Sequence, residues 1–335
     1  MSFRPLLTTT GAAIALLALV ACAGAEANSS QATESGDQDP TATTGYPVTI
    51  DNCGTEVRLE EQPERIVSVK SSTTELVLAL GLGDNLAGTA FLDGPYPDDL
   101  AQAGATIPVL AVRSPAAEVV LAAEPDLVFA GWESMFSADG LGDRGELAEL
   151  AVASYVAPAA CQGEGYRPDP LQFDDVFAHI LEAGQLLGAP EAAASLVAEQ
   201  RQELAQVSPS QAGWSALWYS SGSDTPFVGG GSGAPQMIMD AAGLNNIAAD
   251  VDASWGSVGW ETVAAAEPDV IVLVDSDWNT AQNKIEVLQA NPVTAALPAV
   301  QQQRYLIVPF AATEAGVRNV EATVSLTHQL AELGG

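Results

Sequence analysis

The chain of 335 residues carries 11 Lys+Arg against 43 Asp+Glu, a formal net charge of −32. That balance excludes partners held by phosphate neutralisation, nucleic acid first among them, and it repels anionic lipid head groups. Hydrophobic residues make up 47% of the sequence, enough for a sizeable core, so wholesale disorder is excluded as well. The two histidines, His179 and His328, cannot form a three-histidine metal centre, and no metal site is assigned.

The N-terminus has the layout of a secretory leader, with Arg4, an apolar centre and small residues up to Ala25. Leu19-Val20-Ala21-Cys22 resembles a bacterial lipobox, which makes residues 1–21 a lipoprotein signal peptide and Cys22 the lipidated first residue. An ordinary signal peptide cut near Ala25, or an uncleaved anchor, stays open. Residues 23–45 contain no Val, Ile, Leu or aromatic residue, so 22–45 reads as the lipidated cysteine and a flexible tether. Export leaves Cys53 and Cys161 as an even pair in an oxidising compartment, and a disulfide between them is expected.

From residue 46 short apolar runs alternate with helical stretches. Strands are predicted at Arg65–Val69, Leu86–Phe91, Leu127–Trp132 and Val152–Ala157, then at Ala216–Tyr219, Val270–Asp275 and Tyr305–Pro309. Helical patterns such as Thr73–Leu80 and Pro235–Ala242 fall between them, which argues for α/β layers with mainly parallel sheets. Phe173–Leu187 and Pro190–Val207 read as consecutive helices broken at Gly188-Ala189-Pro190, a stiff connection on which His179 is a packed or surface residue. Glu118–Phe129 aligns with Glu261–Val272 at seven of twelve positions, each copy a short helix, a Glu-Pro-Asp turn and a buried strand. One copy in each half implies two similar lobes: an N-terminal α/β lobe at 46–171, an inter-lobe helix at 172–189 and a C-terminal α/β lobe at 190–335.

Signatures of catalysis are missing: there is no Gly-x-Ser-x-Gly, His-Glu-x-x-His or phosphate loop, and no catalytic residue is assigned. Gly140-Leu-Gly142-Asp-Arg-Gly145 matches a dinucleotide fingerprint but does not directly follow a strand, so it reads as a loop. Binding features are richer, because ligands of open α/β sheets settle beyond the carboxyl ends of strands. Lys70-Ser71-Ser72 follows the first predicted strand, and Ser72-x-x-Glu75 reads as a capping box opening a helix whose free N–H groups, with Lys70, suit an anion. A purely structural cap is the equal alternative. Other strand-end candidates are Phe91 and Asp93, Trp132 and Glu133, Tyr219 and Ser220, Trp278, Glu314, and Arg318 with Asn319. Trp255 adds an aromatic face beside a Gly-rich segment; planar ligands stack on such faces, while Lys70 and Arg318 neutralise acidic groups. Gly222–Pro235 reads as a mobile loop or a simple connector.

Pro63-Glu-Arg-Ile-Val-Ser-Val, Ser72-Thr-Thr-Glu-Leu, Leu80-Gly-Leu-Gly-Asp and the two Glu-Pro-Asp units resemble the ABC-transporter solute-binding proteins of the vitamin B12, haem and ferric-siderophore type. The resemblance covers about residues 46–333. It implies two Rossmann-like α/β lobes joined by a single long spanning helix, a ligand cleft between them, and a monomer that delivers its ligand to a permease dimer with a cytoplasmic ATPase. It also places Glu118 and Glu261 where such proteins dock onto permease arginines. Segments such as Phe91-Leu-Asp-Gly-Pro, Phe129-Ala-Gly-Trp-Glu-Ser and Thr313-Glu-Ala-Gly-Val-Arg-Asn are most similar to an actinobacterial branch proposed to import the deazaflavin precursor F420-0. Siderophores, haem and cobalamin are the alternative ligands, and no catalytic cofactor is implied.

Overall fold

The computed structural model describes residues 45–334. Residues 1–44, read from the sequence as signal peptide, lipidated Cys22 and tether, lie outside the described residues.

The described chain opens with an antiparallel hairpin, β1 (Val48–Asn52) and β2 (Thr55–Leu59). There follow β3 (Ile66–Val69), α1 (Ser71–Ala79), β4 (Leu86–Ala90), α2 (Ala101–Gly104), β5 (Val109–Ala111), α3 (Ala117–Leu121), β6 (Leu127–Ala130), α4 (Arg144–Glu149) and β7 (Ala153–Val156). Strands β3 to β7 form one parallel sheet in the order β5-β4-β3-β6-β7. Helices α5 (Phe173–Leu186) and α6 (Pro190–Leu204) come next. The C-terminal lobe contains β8 (Ser215–Ser221), β9 (Phe227–Gly229), α7 (Ala234–Ala242), β10 (Asn245–Asn246), β11 (Trp255–Ser257), α8 (Trp260–Ala266), β12 (Val270–Asp275), α9 (Ala281–Ala290), α10 (Pro298–Gln301), β13 (Tyr305–Pro309) and α11 (Asn319–Glu332). Its sheet runs β11-β9-β8-β12-β13 with β10 beside β8; β8, β10, β12 and β13 are parallel, while β9 runs antiparallel to both of its neighbours, β8 and β11.

The repeat in the sequence is a repeat in space. α3 leads into β6 and α8 into β12, and the glutamates of both Glu-Pro-Asp turns, Glu124 and Glu267, take left-handed φ values of 49° and 45°. In each lobe the turn aspartate pins the neighbouring central strand. Asp126 accepts from the backbone N–H of Arg65, and Asp269 accepts from the N–H and hydroxyl of Ser215.

The connection is a helical hairpin and not one continuous helix. The turn falls at the predicted break, and Arg201 near the end of α6 returns to Asp174 at the start of α5, 2.7 Å away. α5 packs on the N-terminal sheet, with His179 edge-on to Phe129, while Gln200 of α6 donates to the Val317 carbonyl of the C-terminal lobe at 2.7 Å. One apolar core runs without interruption from Leu76, Phe129 and Ile180 to Trp218, Val272 and Leu326. Separate cores cover the outer faces, around Val67, Val128 and Leu147 in the first lobe and Leu217, Ile271 and Leu288 in the second. The period-two alternation Leu217/Trp218 and Ile271/Val272 assigns successive side chains to opposite faces.

Cys53 and Cys161 form a disulfide, tying the β-hairpin to the loop after β7. Beside it Arg144 is buried and donates to Ser154 and to Asn52, so Gly140–Gly145 serves as a structural turn. The Gly-rich stretch has a packing reason and not a mobility reason. A Cβ at Gly230 or Gly231 would lie 2.2 or 2.0 Å from the carbonyl oxygens of Ala253 and Ala249. Among the described residues no helix is long and apolar enough to cross a membrane.

Candidate ligand-binding cleft

The carboxyl ends of β3, β4 and β6 in one lobe face those of β8, β12 and β13 in the other. Lys70 leaves β3 with φ 92°, a conformation side chains rarely adopt, and is fully buried. Its ammonium donates to Asp93 and lies 3.8 Å from Glu314 Oε1. Three rings surround it, with centroids 4.1 Å away for Trp132, 4.6 Å for Phe91 and 4.7 Å for Phe310. Burial on this scale is tolerated only because the charge is paired and faces aromatic quadrupoles. The anion-binding helix start foreseen around Ser71 and Ser72 exists, and its anion is internal. Asp93 accepts from the Ser71 N–H at 3.3 Å, and the Ser71 hydroxyl accepts from the Asp93 N–H at 2.8 Å.

Glu314 reaches into this cluster from the C-terminal lobe. Its carboxylate accepts from Trp132 Nε1 at 2.7 Å and from the Ser72 hydroxyl at 3.2 Å. Burial pushes it up to about 7, against the opposing pull of Lys70. A second link joins Arg318 to Glu75, 3.4 Å apart, where burial raises the Glu75 carboxyl to about 8 despite the guanidinium. The capping box is therefore not formed: Ser72 and Glu75 turn across the lobe boundary, and α1 starts at Ser71 without a side-chain cap.

Around the cluster opens a chamber of about 430 Å3. Six aromatic side chains line it: Phe91 and Trp132 from the N-terminal lobe, and Phe227, Trp255, Trp278 and Phe310 from the C-terminal lobe. Phe227 stacks on Trp255 at 6.0 Å, and Trp278 meets Phe310 edge-on at 5.4 Å. Ser220 lines the same space, as does Arg113, an exposed cation on the loop after β5. A smaller inner chamber of about 250 Å3 shares Trp132, Trp255 and Glu314 with it.

Thus Lys70, Phe91, Asp93, Trp132, Ser220, Trp255, Trp278 and Glu314 converge on the aromatic chamber, and Ser72 reaches the inner one. The remaining candidates are placed elsewhere. Tyr219 lies on the outer face of β8, packed edge-on to Trp260 and donating to the Gly222 carbonyl. Ser71 is spent on Asp93, and Glu133 accepts from the Gln162 N–H. Arg318 turns back to Glu75 and Glu321. Asn319 is buried and shapes the loop beneath Glu314, donating to the carbonyls of Ala312 and Glu314 and accepting from the Gly316 N–H. Arg113, Phe227 and Phe310 were missed; the signal for Phe310 was its place directly after a strand-ending proline. Glu118 and Glu261 are exposed in the first turns of α3 and α8, one per lobe.

A family model described as periplasmic binding protein matches residues 66–312. The chain belongs to that family. It is a substrate-binding protein of the ABC-transporter type, in the class that takes in the vitamin B12, haem and siderophore binders. It is 26% identical over 294 residues to an uncharacterised ABC transporter substrate-binding lipoprotein of Bacillus subtilis, covering 85% of this chain and 86% of that one. A vitamin B12-binding protein of Yersinia pestis is 28% identical over 63% of this chain and 69% of its own length. The crystal structure of an ABC-type Fe3+-hydroxamate transport system from Saccharomonospora viridis superposes with a TM-score of 0.72 at 28% identity, covering 85% of this chain and 99% of that one.

Proposed function

We propose that this protein is the lipid-anchored, extracytoplasmic receptor of an ABC importer, capturing a bulky, planar, anionic molecule, with F420-0 as the ligand. The observation that carries the reading is the chamber wall itself. Six aromatic side chains and one exposed arginine line it, and its lining contains no His, Tyr, Met or Cys that would ligate haem iron. A flat ring system stacks on such faces, and Arg113 meets its negative charge. The lobes at 46–171 and 190–335 close on the ligand as a monomer, and differential affinity for the closed state drives closure. Exposed Glu118 and Glu261 dock on the permease dimer, whose ATPase powers release; replacing both with arginine is expected to abolish uptake while leaving ligand binding intact.

Titration of tryptophan fluorescence with F420-0, cobalamin, haem and a ferric siderophore tests the assignment. Saturable quenching by the deazaflavin alone, weakened about tenfold by Trp278→Ala and several-fold by Arg113→Gln, is the expected result. Binding of another of the four, with none of F420-0, discards that ligand and keeps the receptor. The second reading is a ferric siderophore, favoured by the likeness to the Fe3+-hydroxamate transport structure.

A further inference from the structure

The inner chamber has a different character from the aromatic one. It is lined by Ser232, Gly233 and Ala234, where the Gly-rich turn runs into the start of α7, and by Arg167 on the loop after the disulfide. The turn is preformed, because Gly230 donates to the Ser254 carbonyl at 3.0 Å and Gly231 to that of Val251 at 2.9 Å. An α-helix leaves its first N–H groups without internal acceptors, and α7, nine residues long, presents that end to the chamber. Independently of the helix, Ser232 is only 5% exposed and its hydroxyl has no hydrogen-bond partner. A buried hydroxyl left unpaired is unfavourable, and an incoming acceptor removes that cost. Glu314, the carboxylate on this lining, already accepts from Trp132 and Ser72 and faces Lys70. The lining offers donors in the Ser232 hydroxyl, the backbone N–H groups of Gly233 and Ala234 and the Arg167 guanidinium, while Pro235, second in the helix, contributes none.

We infer that the inner chamber is a subsite for a phosphate-type oxyanion carried by the ligand whose planar part occupies the aromatic chamber. The inference rests on the planar-ligand reading, and the shared walls at Trp132, Trp255 and Glu314 make the two chambers one bipartite cleft. Lys70 and Arg318 are engaged internally, so Arg113 at the aromatic chamber complements the ligand's charge from outside, while the phosphate-type group itself is held here, at Ser232 and Arg167.

Riboflavin and flavin mononucleotide differ by one phosphate and separate the two chambers. The expected result is that the mononucleotide binds about tenfold tighter or more, and that Ser232→Ala and Arg167→Gln each bring the ratio towards one with riboflavin affinity unchanged. Equal affinities for the two flavins overturn the subsite while the planar-ligand reading survives. If neither flavin binds, the planar reading fails for this tricycle and the subsite is judged on inorganic phosphate alone. A rise in melting temperature with millimolar phosphate that Ser232→Ala abolishes then supports it, and no rise overturns it.

Discussion

The two walls of the cleft are built on opposite principles. The N-terminal wall is fixed from within: Lys70 is fully buried, ion-paired with Asp93 and enclosed by rings, on a backbone held in the left-handed region. The C-terminal wall is aromatic and open, with Trp278 47% exposed on the loop after β12 and Phe227 39% exposed at the start of β9. The chain's only other lysine, Lys284, is buried behind that second wall, and its ammonium donates to the Asn279 carbonyl at 2.6 Å, under the loop that presents Trp278. One wall therefore spends its lysine on a charge cluster that sets geometry, and the other spends it on a single carbonyl that props an adaptable ring. On the proposed closure of the lobes the asymmetry has a use, because the buried, paired face would define the fit and the exposed rings would complete it.

The N-terminal wall should break first. The disulfide closes a sequence separation of 108 residues, and its loss in a Cys53→Ala, Cys161→Ala variant is expected to lower stability by about 4–5 kcal/mol through the freed unfolded chain. Lys70→Met is expected to cost about 3–5 kcal/mol in urea denaturation, because Asp93 and Glu314 are left buried without their counter-charge. Equal losses for Lys70→Met and Lys284→Met would erase the contrast between the walls.

That contrast was only half legible in the sequence. The parallel strands and the repeated Glu-Pro-Asp turns could be read because both are local: an apolar run, a proline stop and a capping aspartate lie within twelve residues. The hairpin of β1 and β2 was not read, since each strand offers only two apolar residues, Val48 and Ile50 or Val57 and Leu59, between polar ones, and β5, β9 and β11 are three residues each. The cleft wall was legible as strand-end chemistry, and so the aromatic and polar candidates converge. What could not be read was which cations remain free. Lys70 is engaged by residues 23 and 244 positions away, and Arg318 donates to Glu75, 243 positions away. Such pairings are fixed by lobe packing, and nothing in the local pattern distinguishes a free strand-end cation from a spent one.

The links between the walls give the next effect, a pH dependence of known sign. Burial raises Glu75 to about 8 and Glu314 to about 7, both above the unfolded range near 4.3. The folded state then binds more protons than the unfolded state between these limits, so stability falls as pH rises from about 4.5 to 8. Glu75→Gln removes one such group. The variant is expected to match the parent near pH 5 and to gain on it by roughly 2–4 kcal/mol at pH 8.5. Parallel stability profiles for parent and variant would show that Glu75 is charged in the fold, with Arg318 outweighing its desolvation.

The smallest expected effect is on the open wall, and it separates propping from packing. Lys284→Met keeps the buried stem and removes one donor from the Asn279 carbonyl, at a cost of about 1–2 kcal/mol. Burial lowers Lys284 to about 8, against the opposing pull of Asp275, so its ammonium loses its proton near that pH. The fold therefore favours the neutral amine, which still donates to the Asn279 carbonyl, so the Trp278 loop should tighten as pH rises through 8 and the affinity for a planar ligand should rise several-fold between pH 7 and 9. In Trp278→Ala that rise should vanish, since the ring the loop presents is gone. Unchanged affinity across this range in the parent would leave Lys284 as packing alone, and the second wall would be as fixed as the first.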